Sequence, residues 1–242
     1  MKFPRTPSFE LTGKRALIVG ASSGIGLAGA VALAERGAEI TIAARRVEKL
    51  LEISDHMIAE GWNVSTLKID VADTDATART VFQNGPYDIL LNSAGLALHC
   101  PATETNLDDF DSVMNVNLRG AYFLTQAVAK GLISAGSKGS LINISSQMGH
   151  VGGQDRAVYC ASKFAVEGFT KAMSLEFAKK QIRINTICPT FILTELTQDT
   201  FDDVEKKSWI LDKIKLGRPG EIEDIMGAVV YLASDASSLV TG

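Results

Sequence analysis

The chain has 242 residues, of which 46% are hydrophobic and 21% charged, and its formal net charge is −4. This balance predicts a folded globular protein and argues against a disordered chain. The small negative charge gives no electrostatic reason to expect nucleic acid or an anionic membrane as a partner. The length suits one large α/β domain or two small ones. Because no break in composition suggests a linker, we expect one domain spanning residues 1–242.

Cysteine and histidine are scarce, with three residues of each type. An odd number of cysteines without paired spacing argues against a disulfide framework and favours a reducing compartment, so we expect a cytoplasmic protein. No histidine lies near a cysteine at the spacing typical of zinc ligands, so the sequence predicts no metal site. No apolar run reaches the roughly 18 residues that a membrane span requires.

Short apolar segments alternate with longer stretches of helical periodicity along the chain. Several of these segments are apolar throughout, as strands buried on both faces of a parallel sheet are. Repeated strand–helix units of this kind predict an α/β fold with an open, doubly wound parallel sheet and helices on both faces. The predicted strands are 15–20, 39–44, 63–69, 88–92, 139–145 and 182–188.

The loop "GASSGIG" follows the first predicted strand and opens the first helix. Gly20, Gly24 and Gly26 allow a tight turn and a close backbone approach to a pyrophosphate at the helix N-terminus, where free N–H groups favour negative charge. Ser22, Ser23 and Ile25 complete the loop. A turn without any ligand is the alternative.

Two arginines, Arg45 and Arg46, follow the second predicted strand. A carboxylate at this point of a dinucleotide fold binds the 2′-hydroxyl of NAD, whereas an arginine pair offers bidentate donors to a 2′-phosphate. We therefore favour NADP(H), with NAD(H) possible; ordinary surface arginines are the alternative. After the third strand, Asp70 and Val71 are positioned to contact an adenine, although Asp70 is equally suited to cap the next helix.

Tyr159 and Lys163 lie four residues apart, a spacing that puts both side chains on one helix face. Taken alone, this pair is a weak signal. In combination with other motifs, the chain resembles the short-chain dehydrogenase/reductase family, whose fold is Rossmann-like. The resemblance rests on "GASSGIG" (20–26), "NSAG" (92–95), "NVNL" (115–118), the 13-residue offset from Ser146 to Tyr159, "YCASK" (159–163) and "CPTFILT" (188–194).

The resemblance implies a catalytic role for four residues. Tyr159 would be the general acid and base, with its pKa lowered by Lys163 and by the nicotinamide cation. Ser146 would hydrogen-bond the substrate oxygen; Ser145 competes for this role, but the offset to Tyr159 selects Ser146. Asn117 would hold a water that connects Lys163 to solvent, and the alternative is an asparagine that bonds helical backbone.

The resemblance also implies a cofactor site. Asn92, Ala94 and Gly95 would lie under the cofactor, Lys163 would hold the ribose hydroxyls beside Tyr159, and the "CPTFILT" segment would receive the carboxamide through Pro189, Ile192 and Thr194. Thr190 stands where the family usually has glycine, which would bring a hydroxyl to the pocket.

The sequence leaves two substrate classes open. Gln147, His150 and Gln154 suit a sugar or polyol, unless they are loop residues that face solvent, whereas Leu96, Leu98 and Met148 suit an acyl chain. The leading hypothesis is an NADP(H)-preferring dehydrogenase or reductase of a secondary alcohol or ketone, of sugar or polyol type. The alternatives are a 3-oxoacyl-thioester (acyl-carrier-protein) reductase and a non-catalytic dinucleotide-binding sensor or scaffold.

The polar segment 189–216 interrupts the strand rhythm near the expected ligand site, and we expect it to be a substrate lid. The resemblance would place a further short strand after "VTG", which this sequence does not contain. It also implies that the long helices around 107–131 and 157–179 pair in a homotetramer or homodimer.

Overall fold

A computed structural model describes residues 3–195 and 197–242 of the chain. Its centre is a six-stranded parallel sheet in the order β3-β2-β1-β4-β5-β6. The predicted doubly wound parallel sheet is therefore confirmed. Each strand lies within one of the six predicted segments: β1 Arg15–Val19, β2 Glu39–Ala44, β3 Val64–Lys68, β4 Ile89–Asn92, β5 Gly139–Ile144 and β6 Ile182–Ile187.

Nine α-helices connect or follow these strands in the described part of the chain. Asp73 and Asn106 cap α3 and α4, because their side chains accept hydrogen bonds from the first-turn N–H groups of Ala76 and Asp109. The helices are α1 Gly24–Ala34, α2 Val47–Ala59, α3 Thr74–Asn84, α4 Leu107–Met114, α5 Ala121–Ala135, α6 Ala157–Phe177, α7 Gln198–Asp202, α8 Val204–Lys213 and α9 Glu223–Ala233.

The core divides into two layers, one on each face of the sheet. One layer includes Leu33 of α1, Leu50 of α2 and Val229 of α9. The other includes Leu124 of α5 and Val166 of α6. The central strands contact both layers, which explains why their sequences are apolar without alternation.

Close packing of α1 depends on a glycine. A Cβ atom at Gly29 would overlap the side chain of Leu91 on β4. Because no side chain intervenes, the first helix lies directly against the sheet, and its N-terminus is held at the carboxyl end of β1.

A π-helical segment, Asn115–Gly120, joins α4 to α5 and makes one continuous helical rod from 107 to 135. A Cβ at Gly120 would lie 2.8 Å from the carbonyl oxygen of Val71, so glycine allows this rod to approach the end of β3. π-helical turns often occur at functional sites, and this one contains Asn117.

The two ends of the segment after β6 pair with each other. Ile192 forms a parallel bridge with Gly220, and the N–H of Leu193 donates to the carbonyl oxygen of Gly220 at 2.8 Å. Helices α7 and α8 lie between these points. The predicted lid therefore contains helices; its residue Leu196 lies outside the described residues. Among the described residues, no helix combines the length and the apolarity that a membrane span requires.

Candidate active site

A cleft opens at the carboxyl ends of β1 and β4, where the strand order changes direction, and doubly wound sheets bind ligands at this point. Its volume is about 550 Å³. The structure brings most of the predicted cofactor residues together in its wall: Gly20, Ser22, Ser23, Gly24, Ile25, Arg45, Arg46, Asp70, Val71, Ala94, Gly95, Tyr159, Lys163, Pro189, Ile192 and Thr194.

The glycine loop is shaped by its contact with the end of β4. Gly20 has φ +83°, and a Cβ there would lie 2.7 Å from the backbone nitrogen of Ala94. A Cβ at Gly26 would overlap the carbonyl oxygen of Gly20. Both glycines are therefore required to fold the loop, which leaves exposed backbone at the N-terminus of α1 for an anionic group.

The two predicted 2′-phosphate ligands are exposed at the rim of the cleft. Nη2 of Arg46 donates to Oγ of Ser22 in the glycine loop at 3.1 Å. Arg45 and Arg46 therefore flank the wall next to that loop. Asp70 is also in the wall, and its carboxylate accepts from the N–H of Ala72 at 3.1 Å rather than capping α3.

Tyr159, Ser146 and Lys163 line the same cleft as the glycine loop. Lys163 Nζ lies 5.6 Å from the centroid of the Tyr159 ring. The ammonium also donates to the carbonyl oxygen of Ile144, at the end of β5, at 3.0 Å. Ser146 Oγ accepts from the N–H of Met148 at 3.1 Å, which orients the hydroxyl.

The ionisation of these groups follows from their burial. Burial lowers the pKa of Lys163 to about 8, although the nearby Cys188 and Glu167 oppose this shift. Burial raises the pKa of Tyr159, while a hydrogen bond with the Ser146 hydroxyl lowers it in part. The predicted lowering of the Tyr159 pKa by Lys163 is thus not found in the protein alone, because desolvation of the phenol outweighs its polar neighbours.

Asn117 is buried and uses its amide to fix the loop after β4. Its Oδ1 accepts from the N–H of Leu96 at 2.7 Å, and its Nδ2 donates to the carbonyl oxygen of Leu96 at 2.8 Å. A second donation goes to Oγ of Ser162 at 3.1 Å. Asn117 therefore bonds a neighbouring loop and α6, rather than the backbone of its own helix.

Gly95 lies where these groups converge. A Cβ on Gly95 would be 3.7 Å from Asn117 Oδ1 and 3.9 Å from Lys163 Nζ. The absence of that Cβ leaves a polar gap between the amide and the ammonium. The arrangement is suited to a proton path from Lys163 toward Asn117.

Several predicted site residues are not in the cleft wall. Gly26 supports the glycine loop from behind. Asn92 is buried, donates to Asn143 Oδ1 at 3.0 Å and accepts from the N–H of Ala94 at 3.2 Å. Gln147, His150 and Gln154, the predicted substrate contacts, do not line the cleft either. His150 instead directs Nε2 toward Cys188, at 3.4 Å from its Sγ, because the turn after β5 faces the start of the segment after β6.

The structure also adds residues to the site that sequence reasoning missed. His99 packs edge-on against Tyr159 with ring centroids 5.7 Å apart. Ser162 donates to the carbonyl oxygen of Tyr159 at 2.7 Å. Thr197 lines the cleft and accepts from the N–H of Thr194 at 3.0 Å. Of these three residues, only Ser162 had a sequence signal, which was its place inside "YCASK". Thr190, which was expected to bring a hydroxyl to the pocket, lies in the cleft wall.

Comparison with known proteins identifies the family. A family model described as short chain dehydrogenase matches residues 14–205. The chain is 36% identical to L-xylulose reductase of Mesocricetus auratus over 96% of this chain and 93% of that protein. It is 38% identical to gluconate 5-dehydrogenase of Gluconobacter oxydans over 97% of this chain and 93% of that protein.

A solved structure gives the same result. The gluconate 5-dehydrogenase from Burkholderia cenocepacia J2315, in complex with NADP and tartrate, is 36% identical to the chain, with a TM-score of 0.91 over 96% of this chain and 92% of that one. The chain therefore belongs to the short-chain dehydrogenase/reductase family.

Proposed function

We propose that the chain is an NADP(H)-dependent oxidoreductase that moves a hydride between the nicotinamide and a secondary alcohol or ketone carbon of a sugar or polyol. One observation carries the proposal: Tyr159, Ser146 and Lys163 line the same cleft as the glycine loop. A protein that only bound a dinucleotide would need the glycine loop but not this polar group.

The cofactor half of the cleft fits a dinucleotide phosphate. Gly20 and Gly26 let the loop backbone pack closely against the end of β4 and against itself. The loop amides of Ser22 to Ile25 would hold a pyrophosphate. Arg45 and Arg46 would hold a 2′-phosphate as charge-assisted donors. When bound, the nicotinamide supplies or accepts the hydride.

The chain itself supplies the proton chemistry. In the reductive direction the Tyr159 phenol gives its proton to the carbonyl oxygen of the substrate, and Ser146 donates a hydrogen bond to that oxygen as negative charge develops. In the oxidative direction the Tyr159 phenolate takes the hydroxyl proton. Lys163 and Asn117, which face the same gap beside Gly95, return the proton to solvent.

The choice of a sugar or polyol rests on two supports. The similar proteins named above act, by their names, on xylulose and gluconate. The cleft wall contains the hydroxyl groups of Thr190 and Ser146, together with Leu96, whereas Leu98 and Met148, the other side chains suited to an acyl chain, are not in it. Polar groups of this kind recognise substrate hydroxyls, whereas an acyl chain would require an apolar channel.

A substrate panel with both cofactors tests the proposal. We expect loss of NADPH absorbance with ketoses or keto-sugar acids, or gain of absorbance when the matching polyols are offered with NADP. Faster turnover of a 3-oxoacyl thioester than of any sugar would favour the acyl-thioester reductase. NADPH binding without turnover of any of these compounds would favour the sensor.

We also propose a lid role for the segment 189–216. Glu195, in this segment, forms an ion pair with Lys49 of α2 at 3.3 Å. The pair links α2 to the segment at the cofactor cleft, and it would reinforce closure over a bound cofactor.

The oligomeric state and location that we propose are a homotetramer in the cytoplasm. Large apolar side chains on the α4–α5 rod and α6 are exposed, including Leu107, Phe110, Phe123, Phe164 and Leu175. Pairing of these helices would bury them. The three cysteines are free, as they would be in a reducing compartment. Light scattering on the purified protein tests the assembly; a monomer at micromolar concentration would contradict it.

A further inference from the structure

Three potential metal ligands from distant parts of the chain converge outside the lining of the cleft. His150 belongs to the turn after β5, Glu167 belongs to α6, and Cys188 directly follows β6. Their ligand atoms all lie within 4.8 Å of one another. In the proposed oxidoreductase chemistry none of the three contacts the substrate, although Cys188 and Glu167 oppose the lowering of the Lys163 pKa.

The imidazole, the thiol and the carboxylate approach one another at the distances of a tetrahedral metal site, and each of the two carboxylate oxygens faces one of the other two ligands. His150 Nε2 lies 3.4 Å from Cys188 Sγ and 3.5 Å from Glu167 Oε2. Cys188 Sγ lies 3.4 Å from Glu167 Oε1. With Zn–N and Zn–O bonds near 2.0–2.1 Å and a Zn–S bond near 2.3 Å, tetrahedral coordination places such donor atoms about 3.3–3.6 Å apart.

The surroundings of the cluster are also those of a metal site. The Glu167 side chain is only 9% exposed, and its Oε2 accepts from the hydroxyl of Thr186 at 3.1 Å, an outer hydrogen bond that orients the carboxylate. The His150 side chain is 50% exposed, which leaves an entry path and room for a water as fourth ligand. A thiolate and a carboxylate together balance the charge of a divalent ion.

We propose that His150, Glu167 and Cys188 form a binding site for a thiophilic divalent metal ion, Zn²⁺ in particular. A thiolate and an imidazole in a three-ligand set favour zinc over magnesium or calcium, which require oxygen ligands. On binding, the Cys188 thiol, which donates to Glu167 in the metal-free protein, releases its proton and the sulfur bonds the metal. No redox step is involved.

Cobalt titration of the full-length protein, without substrate, tests the site. We expect one Co²⁺ per chain, with a thiolate-to-cobalt charge-transfer band and intense visible bands of tetrahedral cobalt, both abolished by added Zn²⁺. Cys188→Ser should lose the charge-transfer band. Glu167→Gln and His150→Gln should weaken binding by at least about tenfold, since loss of even an outer-sphere partner costs about 10–100-fold.

Matched variants separate this site from incidental binding. Cys100→Ser and Cys160→Ser remove the other two free cysteines and should leave the spectrum unchanged. Thr186→Val removes the outer hydrogen bond and should weaken binding about tenfold. The proposal fails if wild type shows no charge-transfer band, or if the band survives in Cys188→Ser. Because His150 is half-exposed, His150→Gln keeps the test valid should a buried variant not fold.

Discussion

The ammonium of Lys163 lies 5.6 Å from the centroid of the Tyr159 ring and donates a hydrogen bond to the carbonyl oxygen of Ile144 at 3.0 Å. One side chain thus connects α6, which carries both residues, to the carboxyl end of β5. Helix position and sheet position are fixed relative to each other at the point where the proposed proton transfer occurs.

Tyr159→Phe tests the proton donor with the smallest possible change. Removal of the hydroxyl should lower kcat by about 10²–10⁴-fold, the usual contribution of general acid–base catalysis, because nothing else in the wall replaces the phenol. The Kd for NADPH should change by less than a few fold, measured by fluorescence titration. A large loss of NADPH affinity in this variant would contradict the assigned role.

Lys163→Met should raise the stability of the protein and remove its activity. Burial lowers the pKa of Lys163 from 10.5 to about 8, and one pKa unit corresponds to about 1.4 kcal/mol, so the charged form costs the fold roughly 3 kcal/mol. The lost hydrogen bond to Ile144 offsets about 1 kcal/mol. Below pH 8 we expect Lys163→Met to raise the free energy of unfolding by about 2 kcal/mol while abolishing turnover.

The pH dependence of that gain has a defined sign. Between about pH 8 and 10.5 the unfolded chain binds more protons than the folded one, so wild-type stability rises with pH in this window. The advantage of Lys163→Met should therefore shrink as pH rises through it. Urea unfolding at several pH values measures both, and the exposed Lys171→Met, on the same helix, is the control. A gain that grows toward pH 10 would refute the assigned burial cost.

The pH profiles of the two reaction directions should differ. Burial raises the pKa of Tyr159, so its phenol persists at neutral pH. Reduction, which needs the phenol, should be flat near neutrality and fall only at alkaline pH, whereas oxidation, which needs the phenolate, should rise with pH. Because the Ser146 hydroxyl lowers this pKa, Ser146→Ala should move both profiles to higher pH. A move to lower pH would be inconsistent with that hydrogen bond.

Arginine variants test the preference for NADPH. Arg45→Ala should raise the Kd for NADPH by about 10–100-fold, the loss expected for charge-assisted hydrogen bonds to a phosphate, and leave the Kd for NADH nearly unchanged. Arg46→Ala should weaken NADH slightly as well, since Arg46 also bonds Ser22 in the glycine loop. Arg36→Ala, exposed after the other end of α1, is the matched control. Equal losses for both cofactors in Arg45→Ala would argue against a 2′-phosphate contact.

Gly20→Ala should lower the free energy of unfolding by more than the strain of a left-handed φ alone. Gly20 and Gly61 both have left-handed φ values, +83° and +89°, but a Cβ meets backbone atoms at 2.7 Å only at Gly20; at Gly61 nothing lies within 4 Å. Gly61→Ala should therefore cost only the left-handed strain of about 1–2 kcal/mol. Gly20→Ala should cost more in urea unfolding and also weaken NADPH by at least tenfold. Equal effects of the two variants would mean that the loop tolerates a side chain.

The sequence determined the sheet and the location of the cofactor loop because both depend on local features. Segments such as "EITIAA" are apolar throughout, and each predicted segment forms a strand within a residue or so of its predicted ends. Three glycines after a strand likewise mark a loop whose backbone can turn tightly, because glycine adopts a positive φ without steric cost. These properties are encoded within a few neighbouring residues.

The tertiary structure decided which side chains from distant parts of the chain contact one another. The acceptor for Lys163, the loop that Asn117 fixes, and the ring of His99 beside Tyr159 all come from residues 19 to 60 positions away in the chain. The meeting of His150, Glu167 and Cys188 has the same origin, and no spacing rule for zinc ligands includes it. The direction of the Tyr159 pKa shift also depended on burial by distant elements, since desolvation is a property of the whole fold and not of a motif.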